Sequence, residues 1–360
     1  MSQKFQIIKT IFPGVILALV FCLFSQGINN LIAIEIFGTS KSPISTVLIA
    51  ILLGIIMGNA FTPRPGMMIG LDFTQQYILK LGIIFLGIRL SFDEFIKFGT
   101  IAIPLIIVCI VGVLILIKLL IKKVPISSKM SYLIAIGTSV CGATAIVATA
   151  PVLNAKKTEI AYAIANITLF GVIAMIIYPY FAEWYFEGEP LKSGLFLGTS
   201  IHETSQVAAA GLIYDQQFNN PETLNVATVT KLIRNTFLVI MIPLFAFLYN
   251  RGEIKSEKYS ILDIFPYFVI GFIGMIIVRN LGDQIFIPET NSYKIWLNLI
   301  EFIKVLATVF LTMAMAAVGI SINLNELKSM GYKPFIVGLI AAITVGIISV
   351  AYIEITSKII

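Results

Sequence analysis

A chain of 360 residues that is 58% hydrophobic and 12% charged is not a soluble globular protein, because soluble domains carry about 25% charged residues. The net charge of +6 is scattered over short loops, which speaks for orientation in a bilayer and not for nucleic acid. A single histidine excludes multi-histidine zinc sites and H-E-x-x-H, and neither G-x-S-x-G nor a Walker A sequence occurs, so no enzyme activity, catalytic residue, metal or cofactor is expected.

In chain order, Lys4 and Lys9 precede an apolar run from Ile11 to Phe24 and mimic a signal peptide. No small-residue cleavage site follows in Ser25-Gln26-Gly27-Ile28-Asn29-Asn30, so the run is expected to stay as a first span. Apolar segments of about 20 residues can cross a bilayer. They fall near 9–25, 43–61, 74–91, 98–121, 130–153, 158–182, 191–214, 223–249, 264–281, 297–321 and 334–356. The expected fold is all-α: a polytopic membrane protein of about ten to eleven spans, one transmembrane domain over 1–360 without a soluble domain. The longest polar loops are Asn250 to Leu262 and Gly282 to Lys294. The three cysteines, Cys22, Cys109 and Cys141, lie in apolar segments and form no disulfide framework. An excess of Lys and Arg in alternate loops places the N-terminus in the cytoplasm. Lys156 and Lys157 then fall on the outer side, against the trend.

Two pairs of stretches echo each other. Gly87-Ile88-Arg89-Leu90-Ser91-Phe92-Asp93-Glu94-Phe95, ending at Gly99, resembles Gly319-Ile320-Ser321-Ile322-Asn323-Leu324-Asn325-Glu326-Leu327, ending at Gly331. These end spans three and ten, so the copies would be inverted, as in secondary transporters. Gly137-Thr138-Ser139 in span five echoes Gly198-Thr199-Ser200 in span seven, and that separation makes the copies parallel. Eleven simple crossings cannot invert both pairs. Either one segment is re-entrant or one echo is chance, and the longer match carries more weight.

Polar and ionisable residues at membrane depth are costly, and they mark functional sites. Gly, Thr and Ser inside apolar segments suggest helices that break there, which is tolerable only around a protein-lined cavity. Around the second break stand His202, Glu203 and Gln206, with Thr199 one turn earlier on the same expected helical face. They would hold Na⁺ with carboxylate and amide oxygens, or relay a proton; a buried packing network is the plain alternative. Around the first break stand Thr138, Ser139, Cys141, Gly142 and Thr144. Here a half-helix N-terminus would aim backbone N–H groups at an anion, or the small residues serve helix packing. Lys231, Arg234 and Asn235 share one face of span eight, too deep for simple snorkelling, and they need an acidic or anionic partner. Asn166 in span six is expected to line the site. Glu301, Lys304, Thr308 and Thr312 form a stripe whose plainest reading is a boundary salt bridge, and Arg89 reads as interfacial.

These residues carry a resemblance. Gly137-Thr138-Ser139-Val140-Cys141-Gly142-Ala143-Thr144-Ala145, Ala150-Pro151-Val152, Gly198-Thr199-Ser200-Ile201-His202-Glu203, Gln206-Val207-Ala208-Ala209-Ala210-Gly211, Lys231-Leu232 and Arg234 resemble a family of bacterial inner-membrane proteins that carries a provisional sulfate-exporter label. Thr144 stands where that family usually has serine. More distantly the chain is similar to the cation/proton antiporter and anion transporter superfamily, including bile-acid–sodium symporters. Cys141-Gly142 resembles their first helix crossover and Glu203-Thr204-Ser205-Gln206 the Glu-x-x-Gln of their second. The resemblance implies two broken helices crossing at the bilayer middle and a core domain sliding against a panel.

The expectation is therefore a multi-pass inner-membrane transporter of a small anion, coupled to H⁺ or Na⁺. Substrate contacts would come from Thr138, Ser139, Cys141, Gly142, Thr144, Gly198, Thr199, Ser200, Lys231, Arg234 and Asn166, and ion coupling from His202, Glu203 and Gln206. Sodium-coupled uptake of an organic anion and a non-transporting sensor or scaffold stand as alternatives, and a homodimer is left open.

Overall fold

The computed structural model describes residues 3–37, 42, 44–61, 64–120, 126–250, 266–323 and 332–357. Among the described residues every regular element is a helix, as expected where lipid cannot satisfy backbone N–H and C=O groups. Eight helices are long and apolar enough to cross a membrane. The three remaining apolar segments fall short for visible reasons. The 43–61 segment gives one helix of 15 residues, and the 130–153 and 191–214 segments are each split into two shorter helices. Residues 324–331, the second half of one repeat copy, and most of the 250–262 loop lie outside the described residues.

The chain divides into two compact units, Met1–Glu94 with Leu212–Pro221 and Phe268–Leu324, and Phe95–Gly211 with Glu222–Tyr267 and Asn325–Ile360. The first contains α1 (Gln3–Leu31), α2 (Thr46–Ala60), α3 (Pro65–Phe73) and α4 (Leu79–Leu86). A π-helical turn, Thr74–Ile78, joins α3 to α4. Two later helices, Phe268–Ile285 and Asn291–Ser321, complete the first unit. An apolar cluster of Ala18, Cys22, Leu71, Ile78, Met313, Ala317 and Ile320 forms its core. Helix starts are capped as the sequence dictates: Ser45 accepts from Leu48 N at 3.1 Å and Thr290 from Tyr293 N at 3.1 Å.

The second unit holds α5 (Phe92–Leu120, from Phe95), α6 (Ser128–Ser139), α7 (Ala143–Thr149), α8 (Lys157–Phe186), α9 (Pro190–Ser200), α10 (Thr204–Phe218, to Gly211), α11 (Pro221–Thr236, from Glu222) and α12 (Leu238–Asn250). In chain order α13 (Phe268–Ile285) and α14 (Asn291–Ser321) follow in the first unit, and α15 (Tyr332–Thr356) completes the second.

The two split segments do not run on in one direction. Each doubles back. In the first, Gly137 on α6 packs against Ile146 on α7, and Lys129 Nζ donates to the Asn154 carbonyl at 2.7 Å. Residues 137 and 146 would be about 13 Å apart along a continuous helix. Ser127 before α6 also bonds Glu159 at the start of α8. In the second, Gly194 and Gly198 of α9 pack on Thr223 to Thr230 of α11, while Gly211 on the return arm packs on Leu224. Both are helical hairpins, with turns at 140–142 and 201–203. The expected crossing of two through-going broken helices is replaced by two hairpins. One ends where α8 begins and the other begins where α8 ends, so they approach from opposite ends of that 30-residue helix. Each leading arm, 12 and 11 residues long, reaches about half of a 30 Å hydrocarbon core at 1.5 Å per residue.

Candidate functional site

The hairpin tips meet beside the middle of α8. The Ala143 N–H donates to Glu203 Oε1 at 3.3 Å. Gly142, at φ +64° and ψ −129°, makes the first turn possible. That backbone region belongs almost wholly to glycine, and a side chain there would collide with Glu203. Gln206 braces the second tip: its Oε1 accepts from Glu203 N at 3.1 Å and its Nε2 donates to the Thr168 carbonyl of α8 at 3.2 Å. Gly171 of α8 leaves room for that amide.

Two helices that stop inside a protein leave their last carbonyls without partners. Here α11 supplies them. Lys231 Nζ donates to the carbonyls of Val140 (2.9 Å), Ile201 (3.1 Å) and His202. Arg234 Nε donates to Ser139 O at 2.8 Å, Nη1 to Thr199 O at 2.6 Å and Ile201 O at 3.2 Å, and Nη2 to Thr138 O. Both cations are fully buried. They sit at the negative ends of two helix dipoles, where positive charge is favoured. Among the described residues neither forms an ion pair. The sequence leads one to expect an acid or an anion as their partner; the partners present are backbone carbonyls, which residue identity does not reveal.

The other expected site residues divide. Thr138, Ser139, Thr199, Ser200 and His202 are fully buried, and Cys141 nearly so. The hydroxyls of Thr138, Ser139 and Ser200 have no hydrogen-bond partner, nor has either ring nitrogen of His202. Thr230 Oγ1 and Asn235 Oδ1 are in the same state on α11. Thr199 instead bonds Ser349 of α15 at 2.7 Å and the Leu195 carbonyl. His202, Glu203 and Gln206 do not share a helical face with Thr199, because residues 201–203 are non-helical. Thr144 is exposed. Gly198 packs on α11. Asn166 turns to α15, donating to Pro334 O at 2.7 Å and packing on Gly338. The N–H expected to face a solute at the start of α7 faces Glu203.

Sequence reasoning missed Thr168, Thr204, Thr230 and Ser349. Asn235 Nδ2 donates to Thr204 Oγ1 at 2.9 Å and ties α11 to the second tip. Ser349 and Thr230 had a signal: each is a hydroxyl residue in an otherwise apolar or site-bearing helix. Thr168 meets Gln206 through its carbonyl and Glu203 through its side chain.

The resulting cluster is buried and rich in donors, with two cations and one carboxylate. Such an arrangement offers a carboxylate and an imidazole, each able to take up a proton.

A family model described as conserved hypothetical protein 698 matches residues 13–338. A UPF0324 membrane protein of Streptococcus agalactiae is 35% identical over 303 residues, covering 84% of this chain and 87% of the relative. One from Fusobacterium nucleatum is 33% identical over 322 residues, 88% and 91% of the two chains. The UPF0324 inner membrane protein YeiH of Escherichia coli is 31% identical over 305 residues, 82% and 81%. No solved structure matches the chain.

Proposed function

The chain belongs to the conserved hypothetical protein 698 family, whose relatives here are UPF0324 membrane proteins, and we propose that it is a secondary active transporter of a small anion. The observation that carries this is the charge of the buried cluster: Lys231 and Arg234 against Glu203, with unpartnered Thr138, Ser139, Ser200, Thr230 and His202 groups around them. Unlike charges attract strongly where water is excluded. Hydroxyls and a ring N–H can contact the solute while the two cations, engaged with carbonyls, set the local potential.

In a bilayer the two hairpins are re-entrant and come from opposite faces. Opening one tip would expose the cluster to one side only, which is what alternating access requires. This topology also removes the parity conflict. With α6 and α7 returning to their starting face, the two Gly-Thr-Ser arms become inverted, as the copies at Gly87 and Gly319 are. Lys156 and Lys157 then join Lys129 on the cytoplasmic side, in line with the positive-inside rule. An inner-membrane location is inferred from the Escherichia coli relative, an inner membrane protein. Coupling to protons is favoured over sodium, because the Gln206 oxygen is already engaged by the Glu203 N–H and the His202 nitrogens are free.

The test is flux in proteoliposomes with a panel of inorganic and sulfonated anions, under separate Na⁺ and proton gradients. Accumulation of one anion under the proton gradient is the expected result. No flux of any anion under either gradient overturns the transporter reading, and accumulation under Na⁺ alone overturns the coupling.

A further inference from the structure

The stripe on α14 finds company in the first unit. A cleft of about 310 Å³ is lined by Gln26, Arg89, Glu301, Lys304, Val305 and Thr308, far in sequence from both hairpin tips. Three of its polar members stand where an apolar run ends. Gln26 follows Ile11–Phe24, Arg89 follows Ile83–Ile88, and Lys304 precedes the uncharged run Val305–Ile320. Three apolar runs thus have a polar end on one cleft, and long cationic side chains that flank such runs settle at headgroup level. Its surroundings are exposed and apolar: Leu23, Phe24, Phe302 and Val305 present their side chains outward.

The cleft has unused capacity. Arg89 Nη1 bonds Asp215 Oδ2 at 2.9 Å, but its Nε is buried without a partner. An orphaned buried donor is costly and points to a missing acceptor. Lys304 Nζ lies 3.6 Å from Glu301 Oε2, a loose contact, and Glu301 is largely exposed. Two cationic donors and one available carboxylate match a phosphate that carries an amine nearby. We propose that this cleft holds the headgroup of an aminophospholipid. The phosphate lies between Arg89 and Lys304, the primary ammonium lies on Glu301, and the acyl chains run along the apolar flanks. The site is independent of the transport reading.

The experiment is native mass spectrometry of the full chain in detergent, with equal concentrations of phosphatidylethanolamine, phosphatidylglycerol or phosphatidylcholine, and with inorganic phosphate as competitor. One phosphatidylethanolamine per chain should be retained, at least about tenfold more tightly than phosphatidylcholine, whose quaternary amine donates no hydrogen bond. Tenfold corresponds to about 1.4 kcal/mol. Lys304→Gln, a partly exposed position chosen to spare the Arg89–Asp215 pair, should weaken every phospholipid, whereas Glu301→Gln should remove the preference for the amine. Equal retention of the three lipids, or retention unchanged in Lys304→Gln, overturns the proposal. Displacement of lipid by inorganic phosphate at equal concentration assigns the cleft to a soluble anion and also overturns it.

Discussion

The N–H of Ala143, first residue of one hairpin's return arm, bonds the carboxylate of Glu203, at the turn of the other. This bond joins two tips that are 60 residues apart in sequence, and it makes Glu203 sensitive to any separation of the hairpins.

Gly142→Ala should damage the tip directly. The substitution forces a side chain into a φ +64° position and against Glu203. Strain of this kind costs about 1–3 kcal/mol. The expected outcome is a lower melting temperature in detergent and loss of transport, with normal membrane insertion. Ala at this site with parental stability would show that the turn is not held as described.

Arg234 should be structural before it is anything else. Arg234→Ala strands carbonyls of Thr138, Ser139 and Thr199, and each stranded buried acceptor costs about 1–3 kcal/mol. Arg234→Lys keeps the charge but loses the fork of donors. Melting temperature should fall in the order parent, Lys variant, Ala variant. An Ala variant as stable as the parent would refute the account of how the two helix ends are satisfied.

The hairpins predict which loops share a face. In a cysteine-free background, Ser128→Cys and Lys157→Cys should react with a membrane-impermeant maleimide from the same side. Glu187→Cys and Glu222→Cys should react from the other. All four positions are exposed. Labelling of Ser128→Cys and Lys157→Cys from opposite sides would restore through-going crossings.

The chain's polytopic helical character was legible in composition, and the two interruptions were legible in Gly137-Thr138-Ser139 and Gly198-Thr199-Ser200. The reversal at each interruption was not. A 24-residue apolar stretch with a glycine in its middle has the same hydropathy whether it crosses or folds back. Only the awkward placement of Lys156 and Lys157, and the parity of the repeats, hinted at it. Lys231 and Arg234 were recognisable as buried cations, but their partners are main-chain carbonyls that every residue possesses. Asn166 had the expected polarity, yet its partner on α15 is again a carbonyl, at Pro334.

The central claim is that Glu203 at the meeting point of the hairpins couples an ion gradient to anion movement. The most direct measurement is anion accumulation by Glu203→Gln in proteoliposomes, beside anion exchange at zero gradient. Glutamine keeps the shape and the bond from Ala143 but carries no charge and takes up no proton. The account predicts that accumulation under a proton gradient is abolished while exchange is partly retained. Accumulation equal to the parent under proton and sodium gradients alike would contradict it, and Glu203 would then be a packing residue.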